Sequence, residues 1–142
     1  MKRERVTLIT LGVQDLDRSR RFYADWGWQA HPASQPGLVL FQMTGAALAL
    51  FQRGELAHDQ GRPEAELGTG AMTLAQNCAD DAEADAVFAA ALAAGARAIK
   101  PPEKAVWGGY SGYFADPDGH VWEIACNPFW PLDADGALTL PG

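Results

Sequence analysis

The order of secondary-structure signals in this 142-residue chain runs through once and then starts again. No other feature limits the fold so sharply. Residues 6–13 (VTLITLGV) are β-branched and apolar on both faces, the pattern of a central strand. Asp15 fits a helix N-cap, and Leu16, Ser19, Phe22, Tyr23 and Trp26 share one helical face that Gly27 closes. Trp28 to about His31 reads as a short strand before the Pro32, Pro36 and Gly37 break. Residues 38–43 and 47–52 then read as a hairpin turning at Thr44-Gly45. After a polar, acidic connector at 54–70, residues 71–78 form the next strand. Asp80-Asp81-Ala82-Glu83 opens a helix with a capping-box pattern. Ala84, Val87, Phe88, Ala91 and Leu92 follow at helical spacing up to Gly95. Residues 96–99 read as a short strand stopped by Pro101-Pro102. Residues 110–115 and 120–126 form a hairpin around Asp116-Pro117-Asp118-Gly119.

Each half therefore reads strand, helix, three strands. A βαβββ unit leaves one sheet face bare, so two such units must cover each other or a partner chain. The expected fold is α+β, two modules in one curled mixed sheet assembly with a cavity. A single domain spans 1–142, with module one at about 5–53, a linker at 54–70, module two at about 71–127 and a tail at 128–142. Open half-barrels and an apolar, proline-broken tail predict a homodimer.

Composition excludes several classes. Apolar residues make up 48% and charged residues 20%, with five Trp, six Phe and three Tyr, so the chain carries the packing surface that disordered chains lack. The longest apolar runs fall well short of the ~20 residues of a membrane span. Lys2–Arg5 and the run after it read as a strand approach rather than a leader peptide. Two cysteines make no disulfide framework, which places the chain in a reducing cytoplasm. The formal net charge is −7, and no Lys or Arg follows Lys104. That pattern lacks the basic footprint of a nucleic-acid binder, and it suits an aromatic or cationic small molecule better than a phosphate.

The chain resembles the vicinal oxygen chelate superfamily, which includes glyoxalase I, bleomycin-resistance proteins and extradiol dioxygenases. In the first half the resemblance rests on Leu11-Gly12-Val13-Gln14-Asp15-Leu16, Arg18-Ser19-Arg20-Arg21-Phe22-Tyr23 and Trp26-Gly27-Trp28. In the second it rests on Ala93-Ala94-Gly95-Ala96 and on the segment 112–124, GYFADPDGHVWEI. It implies two half-barrel sheets around a cavity, usually in a dimer, with metal ligands on the first and last strand of each module. The implied ligand positions hold Leu8, Ala49 and either Leu74 or Gln76; only Glu123 is a ligand type. A divalent metal needs about three or four His, Cys, Asp or Glu ligands, so no metal or other cofactor is expected.

Glu123 is the candidate catalytic residue. It is either an exposed strand carboxylate or an inward one whose pKa an apolar cavity would raise, making it a general base. Thr10 and Gln76 interrupt apolar strands, as satisfied polar groups or as cavity lining. Trp107, Tyr110 and Tyr113 flank the glycine loop at 107–113, as core plugs or as a lip over a pocket. His120 falls three residues from Glu123, on the opposite strand face, and reads as a surface turn residue, as do His31 and His58. Cys78 and Cys126 read as small buried hydrophobes. Ser-His-Asp order, HExxH and CxxC are all absent. The functional expectation is a metal-free small-molecule-binding protein. The alternatives are a metal-dependent lyase or dioxygenase, or a metal-free isomerase with Glu123 as base.

Overall fold

The computed structural model describes residues 1–142 and divides the strands into two mixed sheets. Module one supplies β1 (Leu8–Val13), α1 (Leu16–Trp26), β2 (Leu38–Gln42) and β3 (Ala47–Gln52), with strand order β1-β3-β2. Helix α2 (Arg53–Gln60) and a short 3-10 turn lead across to module two. That module supplies β4 (Thr73–Asn77), α3 (Asp81–Ala94), β5 (Arg97–Lys104), β6 (Tyr110–Ala115) and β7 (Val121–Cys126), in the order β4-β7-β6-β5. In both modules the first strand runs parallel to the last, and the remaining pairs are antiparallel. The α+β class and the duplicated architecture expected from the sequence are therefore present.

The duplication extends to the caps. Asp15 accepts a hydrogen bond from Arg18 N and Asp80 one from Glu83 N, each filling an orphan donor of the first turn. Gly27 and Gly95 end the two helices in the left-handed region, at φ 114° and 115°. Between the modules, α1 packs on α3, and the Trp26 indole donates to Val87 O at 3.1 Å. The shared core joins Leu11, Val13, Leu48 and Leu50 of the first sheet to Phe114, Trp122 and Ile124 of the second. Neither module closes a core alone.

Three local expectations fail. The strand at Trp28 to His31 does not form: Trp28 stacks on Trp26 at 5.5 Å and meets Trp122 edge-on. Its backbone is left with a single ladder-like bond, His31 N to Leu40 O. The connector at 54–70 is not merely a linker, because it holds α2, whose Leu56 and Ala57 are withdrawn from solvent. Pro101 and Pro102 do not stop β5, which runs on to Lys104. As the edge strand it needs no outward N–H there, and its register shifts around the prolines.

Candidate functional site

The two faces of the second sheet carry different residues, and that division decides which candidates belong together. Trp122 and Ile124 point into the shared core, and the paired residues Leu74 and Gln76 lie on that same side. Glu123 faces the other way. One rung crosses the sheet there: Ala75 pairs with Glu123, Glu123 with Tyr113, and Tyr113 with Lys100. The Tyr113 hydroxyl donates to Glu123 Oε2 at 3.1 Å. Burial first, then the Glu123 charge, push the Tyr113 pKa above the ordinary phenol value. Ala75 and Lys100 are exposed, while Tyr113 and Glu123 are half-buried, so this face is open along its length.

The matching face of module one is not open. Thr10 pairs with Ala49 as Ala75 pairs with Glu123, which makes Ala49 the counterpart of Glu123. Ala49 is fully buried, on the side of the sheet where Gly12 meets α2. A Cβ added to Gly12 would lie 3.1 Å from the Leu56 methyl, so the glycine lets the helix seat closely on β1 without shifting that side chain. Helix α2 thus fills half of the cup that two symmetric modules would leave empty.

The candidates do not converge on one site. Tyr113 stands beside Glu123. Thr10 lines a cleft of about 440 Å³ between β1, α2 and the start of β7, on the same side of its sheet as Ala49. Gln76 lies across the sheet from Glu123, in a separate groove. Tyr110 turns toward α3, where its hydroxyl donates to Asp85 at 2.6 Å. Trp107 lies half-exposed in the β5–β6 loop, its ring covering Gly109 so closely that no side chain fits there. Among the implied metal positions, Leu8 pairs with Ala47, two residues from the Thr10–Ala49 rung, and Leu74 and Gln76 face the core side. By register the positions equivalent to Glu123 and its strand partner are Ala49 and Thr10. The four together supply one carboxylate, and no group of three or more His, Cys, Asp or Glu side chains in the chain is placed to hold a metal ion. That donor set does not fit a divalent metal.

The segment at 116–120, which the sequence reads as a turn, joins the two modules. Asp118 accepts from Gln14 N at 2.8 Å, from the Ser19 hydroxyl at 2.9 Å and from the Arg18 guanidinium at 3.1 Å, all in module one. Asp116 accepts from the Tyr23 hydroxyl at 2.6 Å and from the backbone N–H groups of Asp118 and His120. His120 is not a free surface residue, because its Nε2 bonds Gly12 O at 2.8 Å. Asp116, Asp118 and His120 are thus the seam between the modules. The polar start of α1 and a glycine-terminated turn were visible in sequence, but their meeting was not. Burial, aided by the Glu83 charge, pushes the Cys78 thiol up to about 11, which leaves it protonated and unreactive at neutral pH.

The sequence model of the Glyoxalase/Bleomycin resistance protein/Dioxygenase superfamily matches residues 5–124. The chain belongs to that superfamily. It is 38% identical to a glyoxalase-related enzyme from Fulvimarina pelagi, with a TM-score of 0.90 over 98% of this chain and 99% of that one. A glyoxalase/bleomycin resistance protein/dioxygenase from Nocardioides superimposes with a TM-score of 0.72 at 26% identity, covering 99% of this chain and 92% of that one. A lactoylglutathione lyase from Agrobacterium tumefaciens shares the fold at a TM-score of 0.66 and 24% identity, covering 87% of this chain and 94% of that one. No curated protein matches the chain. No helix is long and apolar enough to cross a membrane.

Proposed function

We propose that this protein binds a small organic molecule on the open face of the second sheet, without a metal, and that Glu123 and Tyr113 anchor it. The observation that supports this reading is the half-buried Tyr113–Glu123 hydrogen bond on a face that no element of the chain covers. A carboxylate there accepts hydrogen bonds, so the ligand is neutral or cationic and carries an N–H or O–H donor. The single carboxylate at the metal-ligand positions favours metal-free binding over a lyase or dioxygenase. The Fulvimarina pelagi relative is called an enzyme, which keeps a second reading: a metal-free isomerase with Glu123 as base. The exposed apolar side chains of Leu8, Met72 and Ile99, at the borders of the two sheets, support a homodimer.

Glu123→Gln tests the anchor. The variant keeps its fold and melting temperature and loses about tenfold or more in affinity for compounds that a thermal-shift screen finds on the wild type. Unchanged affinity for every such compound removes Glu123 from the site. Stoichiometric Ni, Zn, Fe or Mn by mass spectrometry of protein purified without chelator overturns the metal-free reading. A light-scattering mass equal to the 15.2 kDa chain at micromolar concentration overturns the dimer.

A further inference from the structure

A second concavity lies beyond the free edge of β4, and its chemistry differs from that of the open face. This groove, of about 1260 Å³, runs between the segment after α1, the end of β2, the β4 edge and the C-terminal tail. The tail is held over it by a backbone turn and by Thr44, whose hydroxyl reaches Asp135 O at 3.4 Å. Trp28 supplies aromatic wall on the core side, backed by the buried Trp122, and Trp130 supplies it from the tail. No Lys or Arg lines it, whereas Glu83, Asp133 and Asp135 do.

The hydrogen-bonding balance is equally one-sided. The Gln76 carboxamide projects into the groove, half-buried, and no hydrogen bond within the chain engages it. β4 is an edge strand, so its outward carbonyls have no sheet partner on this side. The Asp133 carboxylate accepts from Asp135 N and Ala137 N, and Glu83 accepts from Ala79 N, whereas no hydrogen bond within the chain engages the Asp135 carboxylate. Aromatic planes, unpaired acceptors and three carboxylates, with the His31 imidazole the one basic side chain on the wall, together select one kind of guest.

We infer that this groove is a binding site for a planar aromatic cation bearing N–H donors, separate from the Glu123 face. The β4–β7 pair lies between them, with Gln76 and Trp122 on one side and Glu123 on the other, and from the Glu123 rung only Ala75, at the β4 edge, lines the groove. The ring system lies against the tryptophans, the N–H groups meet Gln76 and the β4 carbonyls, and the charge is offset by Asp133 and Asp135. Because the sheet divides the two sites, this inference does not depend on the ligand proposed for Glu123.

The probe is proflavine, a three-ring cation with amino groups at both ends, titrated into the full chain by fluorescence anisotropy and tryptophan quenching. Fluorescein, a three-ring anion, is the charge-reversed control. Saturable proflavine binding that weakens with added salt is expected, with fluorescein binding at least about tenfold more weakly. Gln76→Leu, Trp130→Ala and Asp135→Asn each weaken proflavine by about three- to tenfold. Asp135 is exposed, so that variant carries no risk to folding. Glu123→Gln leaves proflavine affinity within about twofold, because the sheet separates the two faces. The inference is overturned by a lack of saturation, by equal binding of fluorescein, or by variants that bind as the wild type does. Loss of proflavine binding in Glu123→Gln overturns it as well, by moving the dye to the other face.

Discussion

Tyr23 carries more of the seam than its place in a helix suggests. Its ring is fully buried among Phe22, Trp26, Phe41 and Trp122, and its hydroxyl both donates to Asp116 and accepts from the Trp122 indole at 3.1 Å. Burial first, then the Asp116 charge, hold the Tyr23 pKa well above its ordinary 10.0. A folded value above the unfolded one means that the neutral phenol stabilises the fold below pH 10.0, and that this contribution is lost at higher pH. Asp116 is also raised, by burial, even though Tyr23 and the turn amides pull it down. Its ionised form is therefore a cost to the fold at neutral pH, and Tyr23 limits that cost. Tyr23→Phe removes the donor and leaves the carboxylate short of a partner, at about 1.5–3 kcal/mol near pH 7. The gap between variant and wild type narrows above about pH 10, where only the wild type carries the raised phenol. Urea midpoints across the alkaline range check this, and a gap that stays constant to about pH 11 contradicts it.

Local chemistry made most elements readable. The two helices announced themselves through Asp caps, apolar spacing and terminal glycines, all of which act within a few residues of where they sit. Helix α2 did not, because only Ala57 is buried along it and its order comes from docking on β1 at Gly12. Trp28 misled in the opposite direction: its apolar neighbourhood reads as strand, but the aromatic cluster takes the ring and the ladder is lost. The β5–β6 pair shows how the prolines are accommodated. A Cβ at Gly112 would stand 2.7 Å from Pro102 N and 2.9 Å from Lys100 O, both backbone atoms that cannot rotate away. Gly112→Ala therefore separates the edge strand locally and costs about 1–3 kcal/mol, read as a lower melting temperature. Faster hydrogen exchange confined to β5 and β6 identifies the cause. A variant that melts with the wild type shows that the edge strand yields without cost.

At the scale of the whole molecule, the repeat was legible and the contacts that join its halves were not. The repeat is a pattern along the chain, whereas Asp118 meets Gln14, Arg18 and Ser19 at separations of about a hundred residues. The candidate site divides the same way: strand alternation put Glu123 opposite Trp122 and Ile124 but left open whether it faced inward, and the cross-strand pairing with Tyr113 and the closure of module one by α2 depend on tertiary packing. Asp118 offers the cleanest measure of how far the modules act as one body. Its side chain is 7% exposed and serves three donors from module one, while Arg18 remains 42% exposed, so most of the gain lies in the Ser19 and Gln14 bonds rather than in the ion pair. Asp118→Ala also takes the carboxylate from Arg18 Nη2, beside an Nε that is already buried without a partner. The expected loss is about 2–3 kcal/mol in urea unfolding, with the transition still single because the aromatic core continues to bridge the sheets. Asp118→Asn keeps an acceptor for Ser19 or Gln14 and loses about half as much. A loss under about 0.5 kcal/mol in Asp118→Ala assigns the seam to the aromatic core alone. Two separated transitions refute the single-body view from the other side, since the modules then hold together only through this turn.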